Sequence, residues 1–128
     1  MEHLPHINIY IIPHKSQSYE TLGNYTEVDE DCWDFEISKT NADYEFLVTV
    51  HELVEWYLTQ KHGINEKSIS AFDKSFERKR KQGNTDEPGH DPKAPYHKEH
   101  VFAEKIEKLI AKELKIKWSK YDKELNNL

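Results

Sequence analysis

The segment VTVHELVEWYLTQKHGI, residues 48–64, decides both the fold and the chemistry predicted for this chain. Its HELVE core follows the zinc-binding helix pattern H-E-x-x-H, except that glutamate stands at the last position. Because residues four apart on an α-helix project side by side, one turn from each other, His51 and Glu55 can chelate one ion. The segment therefore predicts a metal site on a helix.

The hydrophobic pattern places this motif in a helix spanning about residues 41–62, with apolar residues recurring at three and four from Phe46 to Tyr57. With Phe46 at zero, the apolar stripe centres about 50° around the axis, whereas His51 falls at about 140° and Glu55 at about 180°. We therefore expect the pair at the border of the buried face, shielded from solvent yet reachable.

The flanking sequence predicts one α+β domain in which a small N-terminal sheet, antiparallel or mixed, precedes three helices. Strand patterns occur between about residues 7 and 38, and the helices are expected at about 41–62, 65–82 and 96–116. Residues 83–95 are rich in Gly, Pro and Asp and predict an irregular loop. The remaining residues, 117–128, are interpreted as a tail that docks on the body.

Composition limits the classes of partner. The 128 residues include 24 acidic and 18 basic side chains, and a net charge of -6 argues against broad attraction to nucleic acid or to anionic membranes. A single cysteine, Cys32, excludes an intrachain disulfide. With no leader-like or membrane-spanning apolar run, we expect a soluble cytoplasmic protein, and the oligomeric state stays open.

A third metal ligand is expected at the start of the last predicted helix. His100 lies nearer the apolar border of that helix than His97 and is preferred, with His97 and Glu104 as alternatives. Together with His51 and Glu55 it gives two imidazoles and one carboxylate, the set found in catalytic zinc sites that keep a fourth position for water. The same set suits Fe²⁺, and Mn²⁺ is a further alternative, so the metal is not settled.

Glu52 is the predicted catalytic residue. It projects about 60° further round the helix than Glu55, where the glutamate of H-E-x-x-H enzymes polarises a metal-bound water. Further residues are expected to contact substrate or to support the ligands: Tyr96, His97, Glu99, Asp73, Glu87 and Asp91. His90, in the same loop as Asp91, is also expected to contact substrate or to support the ligands. The remaining histidines are interpreted as surface or loop residues.

Four segments resemble a family of small bacterial and phage-encoded proteins with an H-E-x-x-E motif, a zincin-like pattern and no established substrate. They are IYIIPHKSQSYETLGNY (9–25), YEFLVTVHELVEWYLTQKHGI (44–64), Phe72-Asp73 and EPGHDPKAPYHKEHVFAEKIEKLIAKEL (87–114). The resemblance implies that Glu55 is a ligand in its own right. It also implies that Tyr96, Glu99 and His100 stand at pattern positions, while His97 falls on a variable one.

The resemblance further implies a zincin-like fold, in which an edge strand above the metal-binding helix holds an extended peptide. We expect residues 33–38, WDFEIS, to be that strand. The favoured function is a metal-dependent hydrolase, most concretely a small zinc peptidase-like protein acting on a peptide or a small molecule. The alternative is a non-catalytic accessory binding protein of bacteria or phage with a structural metal. The helical context disfavours an iron oxygenase.

Overall fold

The α+β class predicted from the sequence is confirmed. The structure is a computed structural model that describes residues 2–80, 84 and 86–128. The described chain contains a small sheet of three strands, β1 (His6–Ile12), β2 (Gly23–Asp29) and β3 (Cys32–Ser38). Four helices follow: α1 (Ala42–Lys61), α2 (Glu66–Arg78), α3 (His97–Glu113) and α4 (Trp118–Asn126).

The sheet is mixed, and its central strand is β3. The order is β1-β3-β2, with β3 parallel to β1 and antiparallel to β2. The prediction that residues 33–38 form an edge strand is therefore wrong. The alternation of Trp33, Phe35 and Ile37 with polar residues indicates that one face of the strand is buried, and these three side chains are buried. The alternation carries no information about which strands lie beside this one. Within the described residues, β1 and β2 are the edges.

The prediction of three helices is wrong in number, because the supposed tail forms α4. Tyr121 and Leu125 of α4 are buried, and the ring of Tyr121 lies 4.9 Å from that of Tyr44 on α1, in an edge-to-face contact. The second helix ends at Arg78 instead of about residue 82, and residues 81 and 82 lie outside the described part. The third ends at Glu113 instead of about residue 116.

The predicted buried face of α1 is also wrong. Phe46 is 53% exposed and Tyr57 is 45% exposed, while Val50, Leu53 and Val54 are only partly buried, so the predicted stripe is not the centre of the buried face. His51 and Glu55 lie in the middle of the face that is buried, not at its border. The physical reason is that α1 packs its polar residues against α3, where His100, Ala103 and Glu107 are buried and Phe102 is 48% exposed.

Two apolar clusters flank this polar interface. One surrounds Trp56 of α1, whose indole lies 5.6 Å from the ring of Phe35 in the sheet. The other contains Leu47 of α1 and Tyr121 of α4. Burying each large apolar side chain stabilises the fold by roughly 1.5–3 kcal/mol, and this offsets the cost of enclosing charged groups between the clusters. No helix in the described part of the chain is both long enough and apolar enough to cross a membrane.

Candidate metal centre

Helices α1 and α3 bring the three predicted metal ligands together. His51 Nε2 lies 3.2 Å from Glu55 Oε2 and 3.2 Å from His100 Nδ1, and Glu55 Oε2 lies 2.8 Å from His100 Nδ1. Ligands of tetrahedral zinc at 2.0–2.1 Å are about 3.3 Å from one another, so small adjustments suffice to admit an ion. All three residues are at least 93% buried, with 7%, 5% and 7% exposure.

Local structure explains how each ligand is placed. Asn41 caps the N-terminus of α1, where its side-chain oxygen accepts a hydrogen bond from Tyr44 N at 3.0 Å. The helix then holds His51 and Glu55 one turn apart. His100 lies in the first turn of α3, directly after the loop that carries Gly89. A Cβ on Gly89 would stand 2.3 Å from His100 Cγ. Only glycine therefore lets this loop cover the imidazole.

A second layer of side chains orients the ligands. His51 Nδ1 donates to Glu107 Oε1 at 2.7 Å, which directs Nε2 of the same ring toward the other two ligands. Glu107 in turn accepts a hydrogen bond from the Tyr121 hydroxyl at 2.6 Å. The Tyr25 hydroxyl donates to Glu55 Oε1 at 3.0 Å. Such carboxylate-histidine pairs are the usual supports of metal-bound imidazoles.

The charges in this cluster favour a cation. Burial opposes a positive charge on His51, but hydrogen bonds to Glu107 and Glu55 raise its pKa well above the ordinary value. His100 behaves alike: burial lowers its pKa, yet Glu55 and Glu87 raise it to about 9. Burial acts to raise the pKa of Glu55, but its bonds to the two histidines lower it to about 2. Positive charge is thus demanded at the centre, and protons or a metal ion can supply it.

Glu52 stands beside the three predicted ligands. It is half-buried, lines the same cavity and makes no hydrogen bond within the described residues. Burial raises the pKa of its carboxyl well above the ordinary value, and the nearby charge of Glu55 adds to this effect. Strand β2 passes close by, since a Cβ on Gly23 would stand 2.8 Å from Glu52 Cγ. This carboxyl is therefore placed to exchange a proton with a ligand in the cavity.

The ligands and Glu52 line an open cavity of about 410 Å³. That volume suits a small molecule or a short stretch of peptide. One of its walls is the start of β2, at Gly23, Asn24 and Tyr25, and another carries Tyr19, Asp73 and Tyr96. The cavity therefore extends from the metal ligands to an edge of the sheet.

Asp73 and Tyr96, both predicted to contact substrate or to support the ligands, form one buried group. The Tyr96 hydroxyl donates to Asp73 Oδ1, and the Tyr19 hydroxyl donates to Asp73 Oδ2 at 3.3 Å. Burial raises the pKa of Asp73 to about 7, although the Tyr96 hydroxyl acts against this rise. Glu87, from the same set of predictions, accepts a hydrogen bond from His100 Nε2 at 3.0 Å.

The structure does not place three other predicted residues among those that line the cavity. His97 donates from Nδ1 to the Gly89 carbonyl at 2.9 Å, and so braces the loop. Glu99 is buried against His62, whose Nδ1 lies 2.6 Å from Glu99 Oε2. Asp91 accepts a hydrogen bond from the Lys93 backbone at 2.9 Å. Glu104 does not replace His100, because it lies on the opposite side of that ring, 3.9 Å from Nε2.

Sequence reasoning missed three residues that support the ligands: Tyr25, Glu107 and Tyr121. Glu107 carried a usable signal, since it follows His100 by seven residues and shares its helix face. Tyr25 and Tyr121 reach the site only through tertiary packing. Comparison of the chain with known protein families, curated proteins and solved structures finds no match.

Proposed function

We propose that this chain is a small metal-dependent hydrolase with a zincin-like site, in which His51, Glu55 and His100 hold one divalent ion. Zinc is the favoured ion and Fe²⁺ or Mn²⁺ are alternatives, because two imidazoles and a carboxylate suit all three. The observation that carries the proposal is the convergence of three ligand atoms, at 2.8–3.2 Å, beside Glu52, a glutamate with no hydrogen bond to the described part of the chain. Bacterial or phage origin, a cytoplasmic location and the absence of nucleic-acid binding remain predictions.

Glu52 is the residue to which we assign the proton transfer. A bound zinc ion would supply an acidified water and polarise a substrate carbonyl. The Glu52 carboxylate would accept the proton of that water and pass it to the leaving group. A general base works best when its pKa lies near the working pH, and burial moves the pKa of Glu52 upward from its ordinary value.

Strand β2 is the element beside which we expect an extended substrate to bind. This strand pairs with β3 on one side, and within the described chain no strand pairs with its other side. Its first residues line the cavity next to Glu52. An extended peptide can add to such an edge by main-chain hydrogen bonds. We therefore assign peptide binding to β2, in place of the segment 33–38 expected from the sequence.

The alternative function is that of an accessory binding protein, in which the ion ties α1 to α3 without catalysis. The deep burial of the three ligands between two helices favours it. The ligand set argues against it, because structural zinc sites usually have four protein ligands, commonly with cysteine, and Cys32 is not part of the cluster. Glu52, which makes no hydrogen bond among the described residues, would also have no task in a structural site.

Replacement of Glu52 by glutamine separates the two functions. Peptide mixtures and simple ester and amide substrates are incubated with the zinc-loaded protein, and metal content is measured in parallel. A hydrolase loses turnover in Glu52→Gln and keeps its metal, while Glu113→Gln, which changes an exposed glutamate at the end of α3, keeps both. Turnover that is equal in Glu52→Gln and in the parent protein would refute the proposed role.

A further inference from the structure

We propose a second cation site, here called the outer site, made of Glu87, His90 and Glu104. It lies on the far side of the His100 ring from the centre described above, here called the inner site. Its ligand chemistry is one imidazole and two carboxylates, which suits Zn²⁺ or Mn²⁺. The outer site does not require the chain to be a hydrolase.

The geometry of the His100 ring separates the two sites. Nδ1 faces the inner site, whereas Nε2 lies 3.0 Å from Glu87 Oε2 and 3.9 Å from Glu104 Oε2. His90 Nε2 lies 3.8 Å from Glu87 Oε2 and contacts Glu104 Oε2. Each of these four side chains thus turns one potential ligand atom toward the same space, and small adjustments would bring those of Glu87, His90 and Glu104 onto one ion.

The two ring nitrogens of His100, which face opposite sites, decide how the ligands divide. A neutral imidazole has one nitrogen with a free lone pair, and Nδ1 uses it at the inner site. Nε2 then carries hydrogen and donates to Glu87, so His100 supports the outer site without binding its ion. The outer ion is held by Glu87, His90 and Glu104, and its other positions are open to water. The two sites are thus adjacent and have no ligand in common.

The charge balance at the outer site leaves room for an ion. Glu104 Oε1 pairs with Lys108 Nζ at 2.9 Å, so only Oε2 of this carboxylate faces the site. His90 is 46% exposed and Glu87 37% exposed at the side chain, which gives an ion access from solvent. Two carboxylates and a neutral imidazole supply two negative charges, of which the Lys108 ammonium offsets one, and a divalent cation can balance the remaining charge. Because these ligands are more exposed than those of the inner site, the outer ion binds more weakly.

Calorimetric titration of the metal-free protein with zinc, in the presence of a competing chelator, tests the outer site by giving the number of ions bound per chain and their affinities. The parent protein is expected to bind two ions per chain. His90→Gln and Glu104→Gln are each expected to lose the weaker ion and keep the tighter one, whereas His51→Ala keeps only the weaker ion. His3→Gln, which replaces an exposed histidine distant in sequence from both sites, is the control and is expected to bind two ions. Circular dichroism checks that every variant is folded.

Two outcomes would overturn the outer site. One is a single ion per chain in the parent protein, and the other is a second ion that survives in both His90→Gln and Glu104→Gln. Neither outcome depends on catalysis, because ion counts are read without substrate. Failure of the inner site is recognised separately, as a tight ion that persists in His51→Ala.

Discussion

His51 Nδ1 lies 2.7 Å from Glu107 Oε1, and this hydrogen bond joins a residue of α1 to a residue of α3 across 56 positions of sequence. It fixes which nitrogen of the ring carries hydrogen and which is free to bind a metal. The proposed inner site therefore depends on the carboxylate of Glu107, which is not one of the three proposed ligands.

Replacing Glu107 by glutamine removes the charge that supports His51 while keeping the size of the side chain. Metal affinity is expected to fall by roughly 10- to 100-fold, as is usual when an outer partner of a ligating histidine is changed. Competition with a chromophoric chelator measures the metal affinity. The matched control is Glu113→Gln, an exposed glutamate of the same helix, which is expected to bind as the parent does. Equal affinity in both variants would show that Glu107 is only a packing residue.

Two glycines test the site from different sides. Gly89→Ala places a methyl group 2.3 Å from the His100 ring, so the ring or the loop must move and metal affinity is expected to drop. Gly23→Ala meets Glu52 Cγ at 2.8 Å instead, and this variant is expected to keep its metal and lose turnover. Metal content and hydrolysis are measured for both. The reverse pattern, or metal loss in both variants, would contradict these assignments.

Ionisation of Asp73 makes the stability of the metal-free protein depend on pH. Burial raises its pKa in the folded state to about 7, above the ordinary value of 3.8, so folding favours the protonated acid. The stabilising contribution is complete below the unfolded-state pKa and is lost as pH rises through about 7. Between pH 5 and pH 8 the free energy of unfolding is expected to fall by about 2–3 kcal/mol from this group.

Asp73→Asn removes that ionisation, so its free energy of unfolding is expected to change less between pH 5 and pH 8 than that of the parent. Urea unfolding at the two pH values measures the difference. The control is Asp43→Asn, an exposed aspartate in the first turn of α1, which is expected to retain the slope of the parent. Identical slopes in the parent and in Asp73→Asn would contradict the assignment.

The convergence of His51, Glu55 and His100 could be predicted, because helix periodicity determines which residues share one side of a helix. The spacing of His51 and Glu55 placed them on one side of α1, and the position of His100 on its helix selected it over His97. The supporting contacts could not be predicted, since Tyr25 meets Glu55 across 30 residues and no local pattern records that packing.

The orientation of the helices was predicted wrongly for a physical reason. A helical wheel weighted by hydrophobicity turns Phe46 toward the core. Helix α1 instead buries His51 and Glu55, which form hydrogen bonds with Glu107 and His100 of α3. The prediction that residues 33–38 form an edge strand was wrong for another reason. Alternation in residues 33–38 indicates a half-buried strand, and a central strand and an edge strand share that signature.

Tightly bound metal per chain tests the inner site most directly. The parent for this measurement carries His90→Gln, so that the outer site does not contribute, and it is purified without chelating resin and dialysed. Elemental analysis is expected to find one zinc ion per chain in this parent and none in the derivatives His51→Ala, Glu55→Ala and His100→Ala. One ion retained in all three derivatives, or none in the parent after zinc loading, would contradict the site.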